Sequence, residues 1–201
     1  MKKYLPAILL LSLSLFPLSA AFCHEKEPVA NYQVLFSPED HVADQLIALI
    51  DKEQKSIKAA VYCLMHRGIV NALIKAYQRG VQVEVIIDPY SIKPRSPVKK
   101  MQEANIPLFV WNPSMPTIQT KNGRKIKKRR SLMHDKFCIL GDNQVWTGSF
   151  NFTFEASNSN RENVIVLESQ EIAALYLEEF ERLKREGCLS FNEYLKLAVK
   201  P

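Results

Sequence analysis

The sequence predicts an α/β domain in which a mixed β-sheet carries helices on both faces. Three observations predict it. Residues 57–64 and 81–87 read as strands joined through a helical pattern by short links, the strand–helix–strand signature of a helix-covered sheet. Residues 132–151 hold two β-rich runs around a polar turn, which reads as a hairpin. Residues 171–185 form a strongly amphipathic helix closed at Gly187. A chain of 201 residues, 47% of them apolar, sustains one such domain plus a targeting segment.

That segment comes first. Met1-Lys2-Lys3, the apolar run Leu9-Leu10-Leu11-Ser12-Leu13-Ser14-Leu15-Phe16 and the small residues Ser19-Ala20-Ala21 follow the order of a secretory signal peptide over residues 1–21. Cleavage is expected after Ala20 or Ala21. The alternative is an uncleaved membrane anchor, because residues 4–22 are just long enough to span a bilayer despite Pro6 and Pro17. In either case the folded part is exported, periplasmic or secreted. A polar joint at 22–31 leads into a domain at 32–201.

Residues 32–36 read as the first strand. Ser37-Pro38-Glu39-Asp40 reads as a helix start with Ser37 as cap and Pro38 in the first turn, followed by helical periodicity at Val42, Leu46, Leu49 and Ile50. After the strand at 57–64, Ile69, Leu73, Ile74 and Tyr77 line one face of a helix stopped by Gly80. The strand at 81–87 ends at Asp88-Pro89. Pro94 and Pro97 bound a loop, a short helix is expected at 98–104 and another strand at 108–111. Residues 112–131 lack apolar periodicity and read as a functional or mobile loop. A strand at 163–167 precedes the long helix, and 191–198 adds a short one. There is no internal repeat.

Charge is concentrated. The formal net charge is +6, or +4 without Lys2 and Lys3. Lys121, Arg124, Lys125, Lys127, Lys128, Arg129 and Arg130 place seven positive charges in ten residues with no acid among them, so the rest of the exported chain is net −3. This basic loop ends four residues before His134, which implies an anionic partner close by.

The hairpin explains what such a partner would meet. Strand side chains alternate faces, so His134 and Lys136 share one face with Cys138, opposite Phe137 and Ile139. A turn over Gly141-Asp142-Asn143-Gln144 with an even loop sets Lys136 opposite Ser149 and His134 opposite Asn151. A nucleophile or base, a fixed cation and two neutral hydrogen-bonding groups then form one patch. It suits a tetrahedral anion, most simply a phosphate.

His134-Asp135-Lys136, Gly148-Ser149-Phe150-Asn151 and Arg161-Glu162-Asn163 together resemble the phospholipase D superfamily, the so-called HKD enzymes. So do Ala59-Ala60-Val61-Tyr62 before a helix and Gly80-Val81-Gln82-Val83 entering a strand that ends at Asp88. The likeness covers roughly residues 33–185. It implies the phospholipase D-like fold with one HKD motif per chain, a layout similar to small bacterial periplasmic endonucleases and mitochondrial-surface cardiolipin or RNA hydrolases. His-x-Lys alone is uninformative, since His24-Glu25-Lys26 has it with nothing after it. One departure is plain: the family usually has Asp seven positions after its His, where this chain has Gly141. A strand rising about 3.3 Å per residue puts that position at the far turn, about 20 Å from His134. The change reads as turn chemistry.

The resemblance implies that His134 attacks phosphorus and forms a phosphohistidine, splitting one hard step into two. A second, protonated histidine gives its proton to the leaving alkoxide. Lys136, Ser149 and Asn151 stabilise phosphate charge, and Glu162 holds the histidine ring and its tautomer. With one motif per chain, the two histidines imply a twofold homodimer with a shared site. The expected activity is that of a metal-independent phosphodiesterase, most simply a non-specific endonuclease on DNA or RNA. The alternatives are a phospholipase D-type hydrolase of anionic phospholipid, drawn by the same charge, and a catalytically degenerate binder of nucleic acid or membrane.

Other chemistries find little support. Cys63-x-x-His66 lacks a second ligand pair, and His134 and Cys138 lie too far apart on a strand to share an ion, so no metal or other cofactor is expected. No Gly-x-Ser-x-Gly elbow suggests a serine hydrolase, and no glycine-rich loop suggests nucleotide binding. Cys63 and Cys138 read as buried thiols, with pairing among Cys23, Cys63, Cys138 and Cys188 left open. Trp111 and Tyr90 are candidates to stack on bases, with core or loop packing at least as natural for both.

Overall fold

In the computed structural model, which describes residues 31–113, 117–119, 125–127 and 131–198, the chain builds an eight-stranded sheet. In order the elements are β1 (Asn31–Ser37), α1 (Val42–Lys52), β2 (Ser56–Val61), α2 (Arg67–Gln78), β3 (Gln82–Ile87), a 3₁₀ turn (Pro89–Ser91), α3 (Val98–Glu103) and β4 (Leu108–Trp111). Then follow β5 (Thr117–Gln119), β6 (Lys125–Lys127), β7 (Lys136–Leu140), β8 (Gln144–Gly148), α4 (Phe154–Asn158), β9 (Glu162–Glu168), α5 (Gln170–Gly187), β10 (Cys188–Ser190) and α6 (Phe191–Ala198). The sheet order is β1-β9-β8-β7-β2-β3-β4-β10. β2, β3 and β4 run parallel, and every other neighbouring pair is antiparallel.

The expected mixed sheet with helices on both faces is what forms. Alternation along the strands divides the core. Ala59, Val61, Val83, Val85, Cys138, Leu140 and Trp146 face one layer, with Leu46 and Ile50 of α1 and Ile69 and Leu73 of α2. Ala60, Ile86, Phe137, Ile139 and Val145 face the other, under Ala173, Phe180 and Leu183 of α5. Leu46, Ile50 and Leu73 are fully buried, each contributing about 1.5–3 kcal/mol over an exposed position. Ser169 caps α5 by accepting the Ile172 N–H at 3.3 Å.

Several expectations are corrected. Helix α1 begins at Val42, not at Pro38, because β1 continues through Ser37, which pairs with Glu162 and is buried. Asp40 then closes the turn, accepting the Phe36 N–H at 2.8 Å. Strand β2 stops at Val61 rather than Leu64. Residues 112–131 are not wholly irregular: β5 and β6 form an antiparallel ribbon pairing Thr117 with Lys127 and Gln119 with Lys125. The missed signal is Asn122-Gly123 between two polar–apolar–polar triplets. Of the basic run, Lys125 and Lys127 lie on β6, while Lys121, Arg124, Lys128, Arg129 and Arg130 lie outside the described residues, as do the leader and joint up to residue 30. Strand β10, which covers the outer edge of β4, and the short helix α4 have no counterpart in the sequence reading.

Helix α2 starts on an imidazole. His66 Nδ1 accepts the Ile69 N–H at 3.2 Å. Burial holds the His66 pKa below its usual 6.5, against a smaller opposing pull from Asp44. The folded state therefore resists a proton that the unfolded chain accepts, so the capped form contributes stability above about pH 6.5 that is lost as pH falls through the lower folded value. Urea unfolding at about pH 7.5 and about pH 5 should show this loss at about 1 kcal/mol, the usual worth of a cap, and His66→Asn should remove that part of the pH dependence.

Candidate active site

Strand ends converge at one end of the sheet. Val61 closes β2 opposite Lys136, which opens β7, and Gly148 closes β8 opposite Val164, just inside the start of β9. This is the carboxyl end of the parallel strands, where open α/β sheets place their ligands. The backbone ties the converging segments together. The Tyr62 N–H donates to Asp135 O at 2.9 Å, the Phe152 N–H to Cys63 O at 3.0 Å, and the His66 N–H to Phe152 O at 2.7 Å. Met133 is buried, and its N–H donates to the buried Asp88 carboxylate at 3.3 Å. His134 is thus carried on a segment pinned on both sides.

All five residues singled out by their spacing, His134, Lys136, Ser149, Asn151 and Glu162, line one cavity of about 440 Å³. Asp135, Thr147 and Tyr176 join them. Lys136 is only 8% exposed, and its Nζ lies 3.0 Å from His134 Nδ1, donates to His134 O, and sits 5.4 Å from the centre of the Tyr62 ring. Burial lowers the Lys136 pKa, with Asp135 and Glu162 acting the other way. The exposed His134 ring rests against Tyr62, with centroids 4.6 Å apart. Asp135 is half-buried, and burial and then Glu179 raise its carboxyl above the usual range.

The geometry revises three expectations. The hairpin loop has three residues, not an even number, because Leu140 pairs with Gln144 and Phe137 with Thr147. Gly141 adopts φ 63° and donates its N–H to Ser56 O at 2.8 Å, which draws Gln144 into the strand. Lys136 therefore falls level with Gly148, and His134 precedes the strand. Ser149 donates its hydroxyl to Glu162 Oε2, 2.5 Å away, and accepts the Asn163 N–H at 3.1 Å. Glu162 in turn accepts from Ser149 and from Asn160 Nδ2 at 3.0 Å, not from His134, because β8 lies between β9 and β7. Within the chain, Lys136 and Tyr62 set the imidazole. Asn151 Oδ1 is buried with no hydrogen-bond partner among the described residues.

Two glycines serve different ends. A Cβ at Gly148 would lie 2.1 Å from Asn163 O, so only glycine lets β8 and β9 close around the Ser149–Glu162 pair. At Gly141 an added Cβ would lie 3.2 Å from Glu53 Oε2, a carboxylate already accepting the Gln54, Lys55 and Ser56 N–H groups. An Asp at 141 would meet a second carboxylate and a left-handed backbone, which supports turn chemistry as the reason for glycine there.

Cys63, Cys138 and Cys188 are free thiols, with Cys138 fully buried and its pKa pushed up to about 12, while Cys23 lies outside the described residues. Among the described residues no three His, Cys, Asp or Glu side chains converge to hold a metal. Two residues that spacing did not single out prove structural to the site: Asp88, which holds Met133, and Tyr62, which holds the imidazole. The sequence marks Asp88 as the end of a strand but places Tyr62 inside one, and only the end of β2 at Val61 brings Tyr62 to the strand-end position where ligands bind.

A family model described as cardiolipin synthase, PLD-like domain, matches residues 46–184, a span that includes all five. The chain belongs to the phospholipase D superfamily. This phospholipase D-like chain is 30% identical over 162 residues to a phospholipase D of Rickettsia typhi, covering 80% of this chain and 72% of that one. It is 27% identical over 148 residues to a mitochondrial cardiolipin hydrolase of Xenopus tropicalis, covering 73% and 63%. Among solved structures it is similar to Nuc, a phospholipase D family member from Salmonella typhimurium, with 28% identity and a TM-score of 0.63 over 81% of this chain and 98% of that one. The fold is the phospholipase D-like one, and the chain is a phosphodiesterase of that superfamily.

The two glycines separate fold from chemistry. Gly148→Ala should cost about 1–3 kcal/mol by overpacking and lower turnover by about 100-fold as the site shifts. Gly141→Asp should cost about 1 kcal/mol and leave turnover within about twofold. Urea unfolding and phosphodiester cleavage, measured on the same preparations, check both.

Proposed function

We propose that the chain is a metal-independent endonuclease that cleaves DNA or RNA with little sequence preference through a phosphohistidine on His134. The observation that carries this reading is the nearly desolvated Lys136 ammonium held against the exposed His134 imidazole in a cavity lined mostly by polar side chains. Lys136 Nζ lies 3.0 Å from Nδ1, and because an ammonium can only donate, this contact requires a ring whose proton is on Nε2. An arriving phosphate competes for Lys136, water delivers a proton to the freed Nδ1 and takes the one on Nε2, and Nε2 is left with the lone pair that attacks phosphorus. The bond to the leaving oxygen breaks, and a second, protonated imidazole supplies that oxygen's proton. Water then attacks the phosphohistidine, returning a proton to the second imidazole and freeing His134.

That second imidazole comes from a second copy of the chain. Among the described residues His41 stands at the start of α1 and His66 caps α2, and neither lines the cavity. Phe36, paired with Asn163, and Phe154, three residues beyond Asn151, are 54% and 65% exposed beside the site and supply apolar surface for such a contact. Lys121, Arg124, Lys125, Lys127, Lys128, Arg129 and Arg130 would draw a polyanion toward His134 without reading its bases.

Anionic phospholipid is the second reading, favoured by the names of the relatives from Rickettsia typhi and Xenopus tropicalis. The lining side chains favour nucleic acid: Phe137 is itself buried, so Tyr176 is the one large ring presented among the polar groups of His134, Asp135, Lys136, Thr147, Ser149, Asn151 and Glu162, which suits a polar chain better than acyl groups. The mature protein and His134→Ala, each with single- and double-stranded DNA, RNA and cardiolipin or phosphatidylglycerol vesicles in excess EDTA, separate the two. Nucleic-acid cleavage that survives EDTA and falls by about 1,000-fold or more in the variant is expected. Hydrolysis of lipid alone would transfer the activity to the second reading, and activity that requires added divalent metal would remove the mechanism. Full specific activity from a sedimenting monomer at nanomolar concentration would refute the shared site.

A further inference from the structure

The nucleophile stands at the inner end of an aromatic ladder. Tyr62 follows β2 and is held by its N–H on Asp135 O; its ring lies 4.6 Å from that of His134. Tyr90, in the 3₁₀ turn that follows β3, stacks on Tyr62 with centroids 5.0 Å apart and planes 9° from parallel. Both tyrosines thus stand at the ends of adjacent parallel strands, beside the cavity. The buried Asp88 carboxylate sets the spacing: Oδ1 accepts the Tyr90 N–H at 2.9 Å and Oδ2 accepts the Met133 N–H at 3.3 Å. One side chain therefore positions both the outer ring and the segment bearing His134.

We propose that Tyr90, stacked on Tyr62 beside His134, is a subsite for one unpaired nucleobase next to the phosphate being cleaved, and that it selects single-stranded nucleic acid. This rests on the nuclease reading above and names its substrate class. Tyr90 is 49% exposed, so its ring is not consumed by core packing. Trp111, the other aromatic considered for this role, shows the contrast. It is half-buried on β4, its Nε1 donates to Ser131 O at 2.9 Å, and its ring packs against Gly187 at the end of α5.

The inner face of Tyr90 is taken by Tyr62, and Lys93 Nζ lies 3.9 Å from the Tyr90 centroid. An exposed cation–π contact is weaker than a base–aromatic stack, so a base displaces the flexible Lys93 side chain. The released ammonium, with Arg95 nearby in sequence, then meets the phosphate of the same strand. A base inside a duplex has both faces covered by its neighbours and cannot make this stack, whereas an unpaired base can. Every base has a π face, so the subsite sorts by strandedness and not by sequence.

The test compares three labelled oligonucleotides, each made as DNA and as RNA, in excess EDTA: a single strand, the same strand in a duplex, and a single strand with abasic sugars flanking the cleaved phosphate. Wild-type protein should show kcat/KM about tenfold higher for the intact single strand than for either of the others, the usual worth of one stack. Tyr90→Ala should collapse both ratios toward one, mainly through KM, and Tyr90→Trp should keep them. Equal cleavage of all three by the wild type overturns the subsite, and so do ratios retained in Tyr90→Ala. The wild-type comparison needs no variant, so a misfolded Tyr90→Ala does not weaken it. Wild-type protein that cuts no nucleic acid removes the nuclease reading and the subsite with it, whereas cleavage blind to the bases removes the subsite alone.

Discussion

A lysine ammonium kept almost out of water and hydrogen-bonded to an imidazole is the arrangement on which the site depends. Burying a charge is unfavourable unless close partners compensate. Lys136 finds them in the ring and carbonyl of His134 and the face of Tyr62, so its position is inseparable from theirs. Strand β7 makes the arrangement possible. It is the seam between the parallel half of the sheet and the antiparallel half, pairing with β2 on one side and β8 on the other. Burial pulls the Lys136 pKa down, which makes a phosphate oxygen a favourable new partner for a cation with few alternatives.

Much of this was legible in residue types and spacing. The strand–helix–strand units followed from periodicity, and His134, Lys136, Ser149, Asn151 and Glu162 do share a cavity. The finer geometry was not legible, for identifiable reasons. A single backbone choice, the left-handed Gly141, sets the loop at three residues and shifts the hairpin register. The partners of Glu162 depend on strand order, which places β8 between it and His134. Ser37 and Pro38 carry the chemistry of a helix start, yet pairing of Ser37 with Glu162 extends β1 through Ser37 and leaves Pro38 in the turn that follows, a tertiary choice overriding a local one. Asp88 and Tyr62 matter because adjacent strands end together, which no local pattern encodes.

Charge and shape supply different parts of the function. The seven cations of residues 121–130 belong to a chain that is otherwise net negative, so any attraction of a polyanion would be concentrated in the stretch that precedes His134 in sequence. In the proposed reading, selectivity would come from the polar side chains that line the cavity and from the tyrosine pair stacked next to His134. Phosphodiester chemistry is common to the superfamily, and these features would adapt it to one kind of diester.

Trapping the covalent intermediate tests the central claim most directly. Protein mixed with a phosphodiester labelled on the phosphoryl group that His134 would receive, quenched in alkali within a single turnover and mapped by peptide mass spectrometry, reports where that group resides. Attack by His134 Nε2 places an acid-labile, alkali-stable phosphoryl group on the peptide containing His134. Turnover with no label there, or an equal yield of label from His134→Ala, would contradict it.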